Sequence, residues 1–402
     1  MTRMNSNQTI IIAGGGIIGL AIGWRLARAG AAVELFEKNT AGRGASWNAA
    51  GMLAPLSEVG FEELDFLKIG RESLRRYPEF LDELKQDSGI QVPLDTRGTL
   101  IIGLDRDDQE RLRRLYGFRQ HLGLPVEWLS GSAAREIEPL ISPRASSAIW
   151  IPDDHQIDNR LLIGALKTAF EKCGGELHEH DAISSIRIVG NRVTGVATGT
   201  EVFDASAAVI AAGCWSKRIE GIPAELRPPV RPVKGQILTL RMDPSCPLAH
   251  VIRAPDAYLL PKEDSRLILG ASEEEMGFDT SITAGPVYTL LERGWEAIPS
   301  IYDLVIDEIE AGLRPGSRDH DPIVGETSIE GLFYATGHYR HGILLAPITA
   351  YEMCDLLLEG KSSELFEPFK PARFSPAKGL PGPADPPTGS IAAIESKRRS
   401  RS

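Results

Sequence analysis

Cysteine is scarce in this sequence, and what there is has no chemical arrangement. Cys173, Cys214, Cys246 and Cys354 are scattered over 402 residues, with no C-x-x-C pair and no metal-ligand spacing. That argues against a disulfide-stapled secreted fold and for reduced thiols in a cytoplasm. Long apolar runs are missing too. No stretch reaches the roughly 20 apolar residues a membrane-spanning helix needs. The apolar start is broken by glycines and has no small-residue cleavage site, so it is not read as a signal peptide. Positive charge is in deficit: the formal net charge is −11. No nucleic acid and no anionic membrane surface is expected as a partner. No internal repeat is found. What remains is ordinary globular composition, 42% hydrophobic and 25% charged, in a chain long enough for more than one domain.

The richest stretch lies near the start. Ile10 to Ala13 is a short all-apolar, β-branched run, as a buried parallel strand requires. Gly14, Gly16 and Gly19 follow as G-x-G-x-x-G, with Ile17 and Ile18 between the last two. A helix is predicted next, with Ile18, Ile22, Leu26 and Ala29 on one face and Gly30 as its stop. Ala32 to Phe36 reads as a second strand closed by Glu37. The first glycine permits a tight turn, the second a close approach of pyrophosphate, and the third close packing of helix on strand. The helix N-terminus offers free N–H groups to phosphate, and Glu37 stands where a ribose hydroxyl would be bound. Together these predict a dinucleotide site, without deciding between NAD and FAD.

The rest of the chain alternates helix and strand, then changes character. Residues 38–55, including Ala45, Ser46, Ala50, Gly51 and Met52, are small, glycine-rich and almost uncharged, as a loop lying against a large ligand would be. Helices are predicted over 63–84, 107–122 and 158–174, and strands over 98–104, 148–151 and 207–213, with a hairpin turning at Gly190-Asn191. From Pro229 short strands between turns predict an antiparallel sheet: 233–240, 250–253, 257–261, 266–270 and 303–309. A buried strand over 332–337 and a helix from Ile343 to about Leu358 follow. Residues 1–8 are expected to be a mobile polar leader. Residues 366–402 are expected to be a disordered tail, being rich in Pro, Gly, Ala and Ser.

The order of these motifs resembles the D-amino-acid-oxidase-like flavoproteins, and within them the glycine oxidases of thiamine biosynthesis. The residues that carry the resemblance are G-x-G-x-x-G, Glu37, Ala50-Gly51-Met52-Leu53-Ala54, Ala212-Gly213-Cys214-Trp215-Ser216, Val233-Lys234-Gly235-Gln236, Gly312-Leu313-Arg314-Pro315, and Gly337-His338-Tyr339-Arg340-His341-Gly342-Ile343-Leu344-Leu345-Ala346-Pro347. The resemblance covers about residues 8–365. It implies an α/β fold, with a Rossmann-like FAD-binding domain of the glutathione-reductase type and an antiparallel α+β substrate domain. The FAD domain would comprise 1–90, 151–217 and 316–365, and the substrate domain 91–150 and 218–315. FAD would be noncovalent, since neither Cys246 nor Cys354 matches the position of covalent attachment in related sarcosine oxidases. Ile17, Ile18, Glu37 and Lys38 would meet the pyrophosphate and adenosine ribose. Ala45, Ser46, Ala50, Gly51 and Met52 would line the flavin and ribityl chain, Ile183 the adenine, and His338 to Leu344 the isoalloxazine. Arg314, Arg340 and Tyr258 would hold the carboxylate of a small amino-acid substrate. Molecular oxygen would be the electron acceptor, and a homo-oligomer is left open. Pro255-Asp256 and Ala271 to Met276 depart from the glycine oxidase pattern where they border the implied substrate pocket. A D-amino-acid dehydrogenase, a sarcosine or N-methyl-amino-acid oxidase, and a noncatalytic FAD-binding subunit are the alternative readings.

Overall fold

Two large sheets organise the chain, and the helices are distributed to cover them. The computed structural model describes residues 9–374. The first sheet has six strands in the order Ile323–Glu326, Leu332–Thr336, Ala207–Ile210, Ile10–Ala13, Val33–Glu37 and Glu176–Glu179. All its pairings are parallel except that of the two strands after residue 320. Ile10 to Ala13 is central and buried at every position, which explains why it shows no polar alternation. Helices Ile17–Arg28, Leu64–Ser88, Asn159–Lys172 and Gly342–Glu359 share one core with this sheet, in which Trp24 and Tyr77 are the largest fully buried side chains, followed by Phe80 and Phe170. On its other face a small antiparallel sheet, Ser185–Val189, Arg192–Ala197 and Val202–Asp204, packs Ile186, Val193 and Val196 against Ile11, Phe36 and Ile210. The turn at Gly190 (φ +64°) uses the left-handed conformation that glycine adopts freely.

The second sheet has eight strands: Val305–Gly316, Arg231–Arg241, Arg266–Gly270, Ala257–Pro261, Val251–Ala254, Thr99–Gly103, Ser147–Ile151 and Glu127–Ser130. It is antiparallel except at one place. Val251–Ala254 pairs parallel with Thr99–Gly103, where two distant stretches of chain meet. A local sequence pattern reports hairpins and not such long-range pairings. Helix Arg106–His121, opened by a reciprocal Asp105/Asp108 capping box, lays Leu112 on the end of this sheet. Three short strands, Met52–Leu53, His155–Ile157 and Leu94–Asp95, form a third sheet that no local pattern announced.

Two expectations are corrected. The last strand of the second sheet does not end at 309 as expected: Val305–Gly316 is continuous and carries Arg314 within it, opposite Val233. The tail does not begin at 366. Residues Glu364–Phe369 and Pro371–Phe374 form short 3-10 turns, and Phe366 and Phe369 are buried in the main core. Two phenylalanines within four residues supply the apolar burial that the surrounding Pro-rich composition conceals. The expected leader over 1–8 and the remainder of the tail lie outside the described residues. None of the described helices is long and apolar enough to cross a membrane.

Candidate active site

A cavity of about 1910 Å³ is lined by residues from both sheets. One end is the glycine turn. Gly14 has φ +114° and donates its N–H to Phe36 O at 2.8 Å. A Cβ there would fall 2.5 Å from Ala211 O, so only glycine fits this crossing. Gly19 does not line the cavity: a Cβ there would stand 1.9 Å from Gly14 O, so its role is to let the helix sit against the turn. Gly14, Gly16, Ile17 and Ile18 do line it. Glu37 Oε2 accepts from Gly15 N at 2.8 Å, so this carboxylate also braces the turn. Lys38 Nζ sits 3.2 Å from the centre of the Trp215 ring, and burial lowers its pKa despite the opposing charge of Glu37. Ile183 closes this end.

The middle of the cavity is walled by the small-residue loop. Asn159 Nδ2 donates to Ser46 O and Trp47 O at 2.8 and 3.0 Å, and Asn48 Nδ2 donates to Ala311 O at 3.0 Å. These bonds pin the loop to helix Asn159–Lys172 and to the second sheet, and Ala45, Ser46, Ala50, Gly51 and Met52 face the cavity. Opposite them is the N-terminus of helix Gly342–Glu359, which carries no side-chain cap. Ser73 Oγ donates to Leu344 O at 2.6 Å and fixes this helix end against helix Leu64–Ser88. His338, Tyr339, Arg340, Gly342 and Ile343 line the cavity; His341 and Leu344 do not. Burial pushes His338 down to about 3, so its ring is neutral; Nε2 lies 3.1 Å from Thr349 Oγ1. His341 packs on Phe66 instead, with Nδ1 3.1 Å from Glu58 Oε2 but off the angle of a good hydrogen bond.

The far end carries the charged side chains. Arg314 lies flat over Gly235, where a Cβ would stand 2.3 Å from Nη2, and its Nη1 donates to Ser272 O at 3.0 Å. Tyr258 lies across Gly270 in the same way, 2.5 Å from hydroxyl to the missing Cβ. Burial raises the Tyr258 pKa, with Arg314 opposing, so the phenol keeps its proton. Tyr339 N–H donates to Pro315 O at 3.0 Å and brings the 337–342 loop beside the Arg314 strand. Arg340 behaves differently. Its side chain is 38% exposed and Nη2 reaches Glu63 at 3.7 Å, a surface ion pair at the cavity rim.

Sequence reasoning missed two residues here. Arg253 lines the cavity and donates Nη1–H to Glu58 Oε1 at 2.9 Å. Burial would raise the Glu58 carboxyl, but Arg253, with His341 helping, holds it well below the usual range. The available signal was a charged residue in the short run His250-Val251-Ile252-Arg253, five positions before Tyr258 across a tight turn.

The sequence matches the DAO family, described as FAD dependent oxidoreductase, over residues 9–356. That is most of the chain. The chain belongs to this family. It is 34% identical over 373 residues to glycine oxidase of Geobacillus kaustophilus, covering 92% of this chain and 98% of the relative. The crystal structure of glycine oxidase from that organism superposes with a TM-score of 0.85, covering 93% of this chain and all of the other. The bifunctional protein ThiO/ThiG of Synechocystis is 35% identical over 377 residues, 92% of this chain but 55% of that protein.

As a DAO-family oxidoreductase the chain uses FAD, and the cavity suits that group. Two helix N-termini, beginning at Ile17 and Gly342, border one cavity and turn a positive dipole end toward it; Ile17 N–H is already held by Ser46 Oγ at 2.9 Å, while the Gly342 end has no side-chain cap. Cys246 and Cys354 do not line the cavity. Cys214 does, but burial pushes its thiol up to about 12, so it is a poor nucleophile.

Proposed function

We propose that this oxidoreductase oxidises glycine and other small amino acids, such as sarcosine or small D-amino acids, to the imine, which water hydrolyses to an oxoacid and ammonia. The observation that carries the proposal is Arg314, held over Gly235 beside Tyr258 on the cavity wall of the second sheet. A planar guanidinium holds a carboxylate by two charge-assisted hydrogen bonds and so fixes the orientation of Cα. Tyr258, protonated, donates a third. Bound FAD supplies the two-electron acceptor, and oxygen then regenerates it with release of hydrogen peroxide. Glu37, the glycine turn, and the loop through Ala45, Ser46, Ala50, Gly51 and Met52 would hold the cofactor, with Gly342 and Ile343 presenting helix N–H groups to it. The chain's work is positioning: the reacting amine must be neutral, and His338, held neutral by burial, is the wrong group to remove its proton.

The name glycine oxidase supports glycine as the substrate, and the resemblance to the glycine oxidases of thiamine biosynthesis implies thiazole synthesis as the destination of the imine. Free cysteines among the described residues suit a reducing compartment and so support the cytoplasm. The test is an amine panel read by flavin bleaching without oxygen, then by hydrogen peroxide when oxygen is readmitted. Glycine should bleach the flavin and oxygen should restore it. A flavin that stays oxidised with glycine, sarcosine and small D-amino acids alike would refute the proposal.

A further inference from the structure

Of the motif Val233-Lys234-Gly235-Gln236, only Gly235 lines the cavity. Its strand, Arg231–Arg241, lies between the Arg314 strand and strand Arg266–Gly270. Arg314 therefore crosses a whole strand at its glycine. It leaves one neighbour of that strand and ends on Ser272 O, just past the other. Its Nη1 donates to that carbonyl at 3.0 Å and to Lys234 O at 3.4 Å. No acceptor among the described residues holds Nε or Nη2, so these remain for the two oxygens of a carboxylate.

Ser272 can offer its carbonyl because it sits in a bulge. Ile237 pairs with Gly270, and Lys234 pairs with Glu274, so residues 271–273 stand opposite only 235–236. In a regular ladder a backbone carbonyl would accept from Gln236 N. Here the Ser272 hydroxyl accepts instead, at 2.8 Å, while Ser272 N donates to Gln236 O at 3.2 Å. Both backbone groups of Gln236 are satisfied, and Ser272 O is left to turn to Arg314. The hydroxyl is fixed in this role, since it donates to Glu274 Oε1 at 2.6 Å. That oxygen also accepts from Gln236 Nε2 at 2.9 Å, and Glu274 Oε2 lies 3.7 Å from Lys234 Nζ. Burial would raise the Glu274 carboxyl, but Ser272, Gln236 and Lys234 hold it below the usual range, so it stays ionised and accepting. Lys234 and Gln236 are fully buried. The two polar residues of the motif thus brace the segment that holds Arg314.

We propose that Ser272 is a positioning residue for the substrate carboxylate: its hydroxyl takes the strand bond to Gln236 N, which frees its carbonyl to hold Arg314 over Gly235 with Nε and Nη2 left for the substrate. The inference rests on the amino-acid oxidase reading above, in which Arg314 is the carboxylate anchor. Without the hydroxyl, Gln236 N would lack an acceptor. An unpaired buried N–H is costly enough to draw the carbonyl of residue 272 back to it, and Arg314 would lose its hold.

The test measures KM and kcat on glycine for the FAD-loaded parent, Ser272→Ala and Ser272→Thr, with acetate as a carboxylate probe titrated against the flavin spectrum. In Ser272→Ala, KM for glycine and the dissociation constant of acetate should both rise about tenfold, the value of one hydrogen bond to a charged group. FAD affinity should stay at the parental level. Ser272→Thr keeps the hydroxyl and should keep the parental constants. In an Arg314→Ala background, Ser272→Ala should not weaken acetate further. Parental KM and acetate affinity in Ser272→Ala would overturn the positioning role alone. So would an equal loss in Ser272→Thr, or full additivity with Arg314→Ala. A fall in kcat or FAD affinity with acetate binding unchanged also overturns it, because the hydroxyl would then serve only the fold. A parent that oxidises none of glycine, sarcosine and small D-amino acids overturns the underlying reading and the inference with it.

Discussion

Gly235→Ala is the most searching perturbation of the proposed carboxylate anchor, because it touches Arg314 without removing it. A Cβ at position 235 would stand 2.3, 2.4 and 2.5 Å from Nη2, Nη1 and Cζ of Arg314. Ordinary contact begins at about 3.5 Å, so the guanidinium must retreat by roughly 1 Å. Gly235 lies in the interior of strand Arg231–Arg241 with no positive φ, so alanine suits its backbone. The obstacle is the end of a flexible side chain, so stability should change by no more than about 1 kcal/mol. The site should suffer far more. The Arg314 Nη1 bond to Ser272 O would break or lengthen. A misplacement of about 1 Å in a positioning group costs on the order of a hundredfold in rate. The assay is kcat/KM on glycine, with FAD affinity and thermal unfolding as controls. A double variant settles the route of the effect: Gly235→Ala should add little to Arg314→Ala, because both act through one guanidinium. Parental kcat/KM in Gly235→Ala with FAD bound, or full additivity in the double variant, would refute the reasoning.

Three further outcomes are expected. Glu37→Ala should weaken FAD binding about ten- to a hundredfold in an apoprotein titration, since the carboxylate braces Gly15 N and is proposed to bind the adenosine ribose; unchanged affinity would remove it from the cofactor site. FAD should be released intact on acid denaturation, because the one cysteine lining the cavity, Cys214, has its thiol pushed up to about 12; flavin that precipitates with the protein would show a covalent bond. Lys262 is buried, donates to Ile157 O at 2.7 Å, and is lowered by burial from 10.5 to about 7. Its folded pKa lies below its unfolded one, so the full cost of burying the charge is present below pH 7 and is relieved as pH rises toward 10.5. The parent should therefore gain stability relative to Lys262→Met by up to roughly 4 kcal/mol between pH 7 and 10 in denaturant unfolding; parallel pH curves would contradict this.

Much of this protein could be read before any coordinates. Strand, glycine turn, helix, second strand and acid lie within thirty residues, and each depends on local chemistry: β-branched burial, a positive φ at Gly14, a carboxylate at Glu37. The same holds for helix Asn159–Lys172, whose Asp158 cap accepts from Arg160 N and Leu161 N as its sequence announces. Seven of the eight strands of the second sheet were legible as short runs between turns, the last of them read too short; Glu127–Ser130 was not. Their assembly was not. The parallel joint between Val251–Ala254 and Thr99–Gly103 pairs residues about 150 apart, and only tertiary packing decides it. A local hairpin sets Arg253 beside Tyr258, but only that joint brings Ile101 to the other side of Arg253. The same reason separates Arg314 from Arg340. Both sit in glycine-flanked motifs, but one is laid over Gly235 inside the cavity and the other leans outward to Glu63. A sequence states which side chains can bear charge. Where a buried charge finds its partner depends on contacts between distant segments, and those exist only in the folded chain.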